Sequence, residues 1–362
     1  MTALRTLIGL GDHSRKREKI AAVARAVQRC AALLTGALLV LGCGADRATR
    51  VLRLGHGLDP THPVHQAMES FATDVETASG GSLEVRIYPS EQLGSERECL
   101  ELLQIGSLDI TKVSAAVLES FAPAFRVLSL PYLFVDEAPR FAVLEGAVGE
   151  ELRAQPRDAR LLGVAFYDAG SRSFYTVERP ITSPADLRGL KIRTQESATA
   201  MEMVRALGGS PTPISWGELY TSLQQGVVDG AENNPPSFHL SRHYEIARYY
   251  TLDEHTAVPD VLVISTEPWR RLGDEERQIV KQAALRSAEL QRTLWAEATE
   301  AALRAVAAAG VEILRPDKGA FARQVEELID RFAADEEAAR WIRRIRSTGV
   351  EPVESQQPKG SE

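Results

Sequence analysis

The sequence predicts an α/β protein built as two domains, with one long helix reaching across both. Three observations carry this reading. From Val51 onward, strand-like and helix-like segments alternate. The alternation restarts at "RLLGVAFYDAG", Arg160 to Gly170. Later, Pro268 to Ala309 reads as a helical tract with no Gly or Pro between Asp274 and Ala309.

Each element has a local reason. "VLRLGHG" is a strand. Pro63 to Ser79 places Val64, Ala67, Met68, Phe71 and Val75 at helical period. "SLEVRIYP" alternates along a strand. Ser95 opens a helix, and Glu98 three residues on completes a capping box. "LDITKVSAA" is again a strand, so the β-α-β-α-β order argues for a parallel sheet with helices on both faces. After the restart come "LKIRT", the helix Ala198–Leu207, "SPTPIS", the helix Trp216–Gln225 and "VVDGAE". "DVLVIST" precedes the long tract, which exceeds about 50 Å at ~1.5 Å per residue and must bend or bridge both domains. "VEILRP" is one more strand, and two short helices finish the chain. Past Thr348 the Pro/Glu/Ser/Gln-rich segment is expected to fray.

The chain has 362 residues, 44% apolar, 25% charged and 6% aromatic, an ordinary globular composition. With the whole chain at −8 and residues 1–42 at +5, the remainder stands at −13, which argues against nucleic acid as a partner. The positive segment reads as an export signal. A basic stretch ends at Arg29 and is followed by "AALLTGALLVLG", Ala31 to Gly42, too short to span a bilayer. It stops at "VLGCG", which resembles a lipobox: diacylglyceryl attachment at Cys43 and removal of residues 1–42 are expected, with ordinary cleavage near Ala45 as the alternative. The length of the basic segment suggests translation from a codon downstream of Met1. Cys99 would then be the one remaining thiol, and its helical spacing with Leu102 and Leu103 marks it as a buried packing group.

No G-x-S-x-G elbow, Walker loop, G-x-G-x-x-G after a strand or C-x-x-C is present, and neither cofactor nor catalysis is expected. His239 and His243 in "HLSRH" have metal-like i, i+4 spacing, but Leu240 stands where a zincin needs Glu. Surface or capping roles on a short helix account for both, and no metal is expected.

Three strand ends carry the candidate chemistry. In "LKIRTQES", Lys191 and Arg193 share one strand face and Ile192 the other. Arg193 stands at the carboxyl end, where open α/β sheets bind ligands, and its guanidinium offers a planar fork matched to a carboxylate. It could equally cap a carbonyl or pair with an acid. "VVDGAENN" presents Glu232, Asn233 and Asn234, with Pro235 and Pro236 fixing φ behind them. "AGSRSFYT" puts Arg172 at a third such point.

These segments, with "ALGGSPTPISWGELYTSLQQGVVDGAENNPPSF" and "SEQLGSERECLELLQIGSLDI", resemble the solute-binding proteins of TRAP (tripartite ATP-independent periplasmic) transporters, the DctP family. The resemblance runs from about Leu52 to about Leu314. It implies a periplasmic-binding-protein-like fold whose two α/β domains close about a hinge onto a small organic acid. Domain I is expected at 51–168 plus about 261–297, and domain II at 169–260 plus about 298–348, with the tail at 349–362. The resemblance implies that Arg193 makes the main salt bridge to a substrate carboxylate, assisted by Arg172 and Asn233. It implies small and large membrane subunits as partners and a periplasmic location, with membrane contact through the lipid anchor only. A ligand sensor feeding a histidine kinase would share these features.

One clamp handles one carboxylate, so a monocarboxylate sugar acid is expected, a hexuronate such as D-glucuronate or D-galacturonate. A dicarboxylate would want a second cation across the cleft. The first domain offers instead His62, Glu96, Arg97 and Ser114, where Glu96 accepts from hydroxyls and repels a second negative charge. Arg97 argues the other way if it points inward. Asn234, Trp216 and His255 in "LDEHTAVP" extend the candidate set. "AENNPPSF" and "DEHT" resemble the uronate-binding branch of the family. The alternative is that these groups hold water or one another around a dicarboxylate or 2-keto acid.

Overall fold

The computed structural model describes residues 49–134 and 137–348. The expected signal segment 1–42, the expected lipidation site Cys43 and the tail 349–362 lie outside the described residues. Within them, eleven strands run in chain order: β1 (Arg50–Gly55), β2 (Leu83–Tyr88), β3 (Ile110–Ser114), β4 (Leu161–Tyr167), β5 (Arg172–Thr176), β6 (Lys191–Thr194), β7 (Ser210–Pro213), β8 (Gly230–Asn233), β9 (Tyr249–Thr256), β10 (Asp260–Ser265) and β11 (Glu312–Leu314). They form two sheets, ordered β2-β1-β3-β10-β4 and β11-β9-β5-β8-β6-β7.

The parallel expectation holds for β1, β2 and β3 and fails beyond them. β10 enters the first sheet antiparallel between β3 and β4. The segment Leu161–Tyr167 therefore restarts nothing: it is the edge strand of the first sheet, held by a partner far later in the chain. The second sheet is mixed for the same reason, with β5 antiparallel to both β8 and β9, and β6 parallel to β7 and β8. The chain passes from the first sheet to the second after β4 and returns between β9 and β10.

Six helices position the site: α1 (Pro63–Ala78), α2 (Glu96–Gln104), α3 (Ala198–Ala206), α4 (Leu219–Gln224), α5 (Pro235–Leu240) and α6 (Asp274–Ala308). α1 buries Val64, Ala67, Met68, Phe71 and Val75, the stripe its sequence period marks out. α2 carries the Ser95/Glu98 capping box and buries Cys99, whose thiol burial pushes up to about 11, which leaves it a packing group. α6 is unbroken for 35 residues, about 50 Å at ~1.5 Å per residue. It packs on α1 and β4 of the first sheet and on α5, the helix that follows β8 of the second. Three helices close the chain rather than two: Lys318–Gln324, Glu326–Ala333 and Glu336–Thr348. The extra break falls at Val325, which leaves helical geometry at φ −104° and ψ 4° with no Gly or Pro to announce it.

Candidate functional site

A cavity of about 60 Å³ is lined by residues of both sheets. Of the residues singled out from sequence, His62, Glu96, Ser114, Arg172, Arg193, Trp216, Asn233 and Asn234 line it. Arg97 and His255 do not.

The second sheet supplies two arginines in opposite electrostatic states. In β6, Lys191 is exposed while Ile192 and Arg193 are buried. Arg193 Nε donates to the Ile214 carbonyl at 2.8 Å, the carbonyl cap its position allowed. Its guanidinium lies 5.9 Å from the Trp216 ring centroid. Nη1 is buried and has no hydrogen-bond partner, and none of the ion pairs among the described residues involves Arg193. Burial pulls its pKa down from the ordinary value, but a guanidinium remains cationic.

Arg172, first residue of β5, is spoken for. Its Nη2 donates to Glu232 Oε1 at 2.8 Å and to the Glu232 carbonyl at 2.7 Å, and Nε pairs with Glu232 Oε2. Nη1 donates to Asn233 Oδ1 at 2.9 Å. Behind Glu232 lies His255, fully buried, with Nδ1 2.8 Å from Asp253 Oδ2 and Nε2 3.5 Å from Glu232 Oε2. Burial opposes charge on this ring, but Asp253 and Glu232 outweigh it and raise its pKa to about 9. Burial alone would raise Glu232, yet Arg172 and His255 hold it at about 2. Two acids and two bases cancel. His255 therefore lies outside the cavity wall, held against Asp253, Glu232 and the Phe174 ring rather than presented to a ligand hydroxyl.

Asn233 and Asn234 combine structure with exposure to the cavity. Asn233 Oδ1 accepts from Arg172 and from Asn234 N at 2.9 Å, while its amide N–H groups make no bond within the described residues. Asn234 N-caps α5 by accepting from Ser237 N at 2.8 Å. Pro235 and Pro236 occupy the first two helical positions, where a missing N–H costs nothing. The stiff stretch is a helix start.

The first sheet forms the facing wall. Glu96 Oε1 accepts from Lys112 Nζ at 2.9 Å and Oε2 from Ser114 N at 3.1 Å. Lys112 also meets Asp260 Oδ2 at 3.2 Å. Arg97, the next residue on α2, turns away: it pairs with Glu101 at 3.2 Å and lies over Phe121. His62 N-caps α1 and reaches Ser237 Oγ at 3.4 Å, and burial lowers its pKa to about 3, so its ring is neutral. Sequence reasoning missed Lys112, Asp260, Gln195, Ser237 and Trp295, all cavity-lining.

Further contacts join the walls. Ser114 Oγ donates to Gln195 Oε1 at 3.3 Å, Gly217 N to Glu91 Oε1 at 3.2 Å, and Thr199 N to Glu119 Oε1 at 3.1 Å. The metal-like pair is split between two elements: His239 lies in the last turn of α5, whereas His243, itself buried rather than at the surface, begins a separate turn after the left-handed Arg242. His243 Nδ1 sits 2.8 Å from the Tyr175 hydroxyl. Among the described residues no group of three His, Cys, Asp or Glu side chains is placed to hold a metal.

Residues 54–336 match the bacterial extracellular solute-binding protein family 7, DctP. The Salmonella typhimurium protein YiiZ is 41% identical over 300 residues, covering 82% of this chain and 91% of that protein. A TRAP periplasmic solute-binding protein from Bradyrhizobium, solved in complex with α/β-D-galacturonate, superposes with a TM-score of 0.81 at 39% identity over 82% of this chain and 100% of its own. Another from Chromohalobacter salexigens, solved with D-glucuronate, gives 0.80 at 33% identity over 82% and 99%.

Two mixed sheets line one cavity in which, among the described residues, Arg193 is a buried cation without an acid in ion-pair contact, an arrangement suited to a cleft-type solute-binding protein. The chain belongs to the DctP family, the solute-binding proteins of TRAP transporters.

Proposed function

We propose that this protein is the extracytoplasmic receptor of a TRAP transporter, capturing a hexuronate such as D-glucuronate or D-galacturonate and delivering it to the small and large membrane subunits. The observation that carries the reading is Arg193: a cavity-lining guanidinium 3% exposed, with Nη1 unpartnered and no acid in ion-pair contact. One guanidinium without an acid in ion-pair contact takes one carboxylate. Asn233 and Asn234 offer free amide donors to hydroxyls. Arg172 arrives neutralised by Glu232 and contributes donor geometry more than charge. The uronates bound by the Bradyrhizobium and Chromohalobacter proteins fit this chemistry. Lys112 would be the second cation for a dicarboxylate, but Glu96 and Asp260 already match it.

In this reading residues 1–42 direct export and Cys43 carries a lipid anchor to the periplasmic face of a membrane. The two sheets are the cores of domains I and II, at 51–168 plus about 261–297 and 169–260 plus about 298–348, and ligand is trapped as they close. The test is mass spectrometry of ligand released from purified, denatured protein, followed by thermal-shift measurements. A hexuronate in the released fraction and stabilisation by glucuronate or galacturonate are expected. Stabilisation by succinate or pyruvate but by no hexuronate refutes the proposal.

A further inference from the structure

The first-sheet wall of the cavity carries an ion triad that carboxylate capture by Arg193 does not use. The Lys112 ammonium sits between Glu96 Oε1 at 2.9 Å and Asp260 Oδ2 at 3.2 Å. All three side chains line the cavity. The Lys112 side chain is only 4% exposed, against 15% for Glu96 and 11% for Asp260, so the salt between them is weakly screened by solvent.

Two elements build this arrangement into the fold. In the antiparallel β3–β10 ladder Asp260 faces Ser114 and Leu262 faces Lys112, which makes Lys112 and Asp260 diagonal neighbours on one sheet face. Glu96 comes from the first turn of α2, and its second oxygen holds the Ser114 N–H, so it cannot swing out without releasing the end of β3. The triad is a fixed surface, set by a strand ladder and a capped helix.

Its chemistry is specific. Two carboxylates against one ammonium leave an excess of one negative charge. Lys112 has three N–H donors and two acid partners, so a donor remains for a third acceptor. The two carboxylates keep lone pairs beyond those that Lys112 and Ser114 N engage. Hydroxyls, which donate and accept, satisfy both sets of groups. A carboxylate satisfies only the donor and meets the excess charge head on.

We propose that Glu96, Lys112 and Asp260 form a second subsite that reads the hydroxyl-bearing end of the ligand and excludes a second carboxylate there, so that the receptor separates uronates from the corresponding dicarboxylic aldarates. The inference rests on the hexuronate reading above. It also gives Lys112 a role: the ammonium holds the two acids side by side in a buried wall and opposes the burial that raises the Asp260 carboxyl.

Competition calorimetry with D-glucuronate and D-glucarate tests this on the mature protein and on Asp260→Asn and Glu96→Gln. Each nearly isosteric change removes one negative charge and leaves the triad neutral. The wild type is expected to favour glucuronate by about 100-fold or more, the scale of one like-charge contact in a partly screened site. Both variants lose some glucuronate affinity, and the preference narrows at least ~10-fold because glucarate loses less or gains. The difference between ring and open chain is the same in every protein and drops out of the comparison. Variants on two separate elements keep the test open if one fails to fold. A wild type that binds no hexuronate overturns the underlying reading and this one with it. Tight glucuronate binding with an undiminished preference in the folded variants overturns the subsite alone.

Discussion

Arg172 and Arg193 line one cavity, yet only Arg172 is paired with an acid within the protein. Sequence position ranks the two as similar strand-end arginines. The difference lies in Glu232, which faces Phe174 across the β5–β8 ladder and bonds back to Arg172 but not to Arg193.

Arg193→Ala is expected to cost roughly 3–5 kcal/mol of binding, about two to three and a half decades in affinity, because a carboxylate is left in a closed site without its cation. Arg193→Lys recovers part of this, since a point charge cannot form the planar fork. Titration calorimetry reads both, and a loss under threefold for the Ala variant removes Arg193 from its role.

Arg172→Ala is expected to behave differently. It leaves Glu232 buried against His255 without its main partner, so the protein itself loses roughly 3–5 kcal/mol of stability. Arg172→Met with Glu232→Gln restores much of this by removing both charges. Asn233→Ala costs about 1–3 kcal/mol of affinity, the scale of one unsatisfied polar group. Urea melts separate the stability effect from the binding effect; an Arg172→Ala protein as stable as wild type contradicts the assignment.

His255 predicts a pH signature. Its folded pKa of about 9 stands above the ordinary 6.5. The stabilisation it brings is therefore full below 6.5 and is lost as pH rises towards 9. His56, His62 and His243 are buried neutral at about 2, 3 and 3, so theirs is full above 6.5 and lost on acidification. His255→Gln should flatten the fall in stability between pH 6.5 and 9 and leave in place the loss on acidification that comes from His56, His62 and His243. Denaturant titrations at pH 6, 7.5 and 9 measure it, and an alkaline limb as steep as in wild type counts against the buried ion chain.

Glu119 does not itself line the cavity, yet its Oε1 accepts the Thr199 N–H at the start of α3. This joins the first-sheet side to the second. Glu119→Ala is expected to weaken ligand affinity by about 1–2 kcal/mol, as for a lost helix cap, with no change at the ligand itself. An unaltered dissociation constant places this contact outside the bound state.

Cys43→Ala should move the exported protein from the membrane fraction to the soluble periplasm without altering affinity. Fractionation followed by immunoblotting decides it, and a wild-type chain recovered wholly in the soluble fraction rules out the anchor.

Periodicity and capping were readable because they are local: the α1 stripe and the Ser95/Glu98 box appear as written. Pairing was not, because β10 reaches the first sheet from far along the chain and turns β4 into an edge strand. The same holds for the site. Arg193 and Asn233 sit at strand ends that alternation exposes. Whether Glu96 or Arg97 faces the ligand depends on a rotation of about 100° between successive helical residues, which only the docking of α2 decides. Lys112 reads as one polar interruption in an apolar strand until Asp260 arrives beside it, and Trp295 reads as ordinary helix core.

The unpartnered Nη1 of Arg193 has a consequence for the resting receptor. Burying this guanidinium strips its hydration, and the Ile214 carbonyl and the Trp216 ring return only part of the cost. The anion that enters supplies the missing half of an ion pair the polypeptide was built without. Cargo would then be the last structural component of the cavity, completing a charge pair that the chain itself leaves half made.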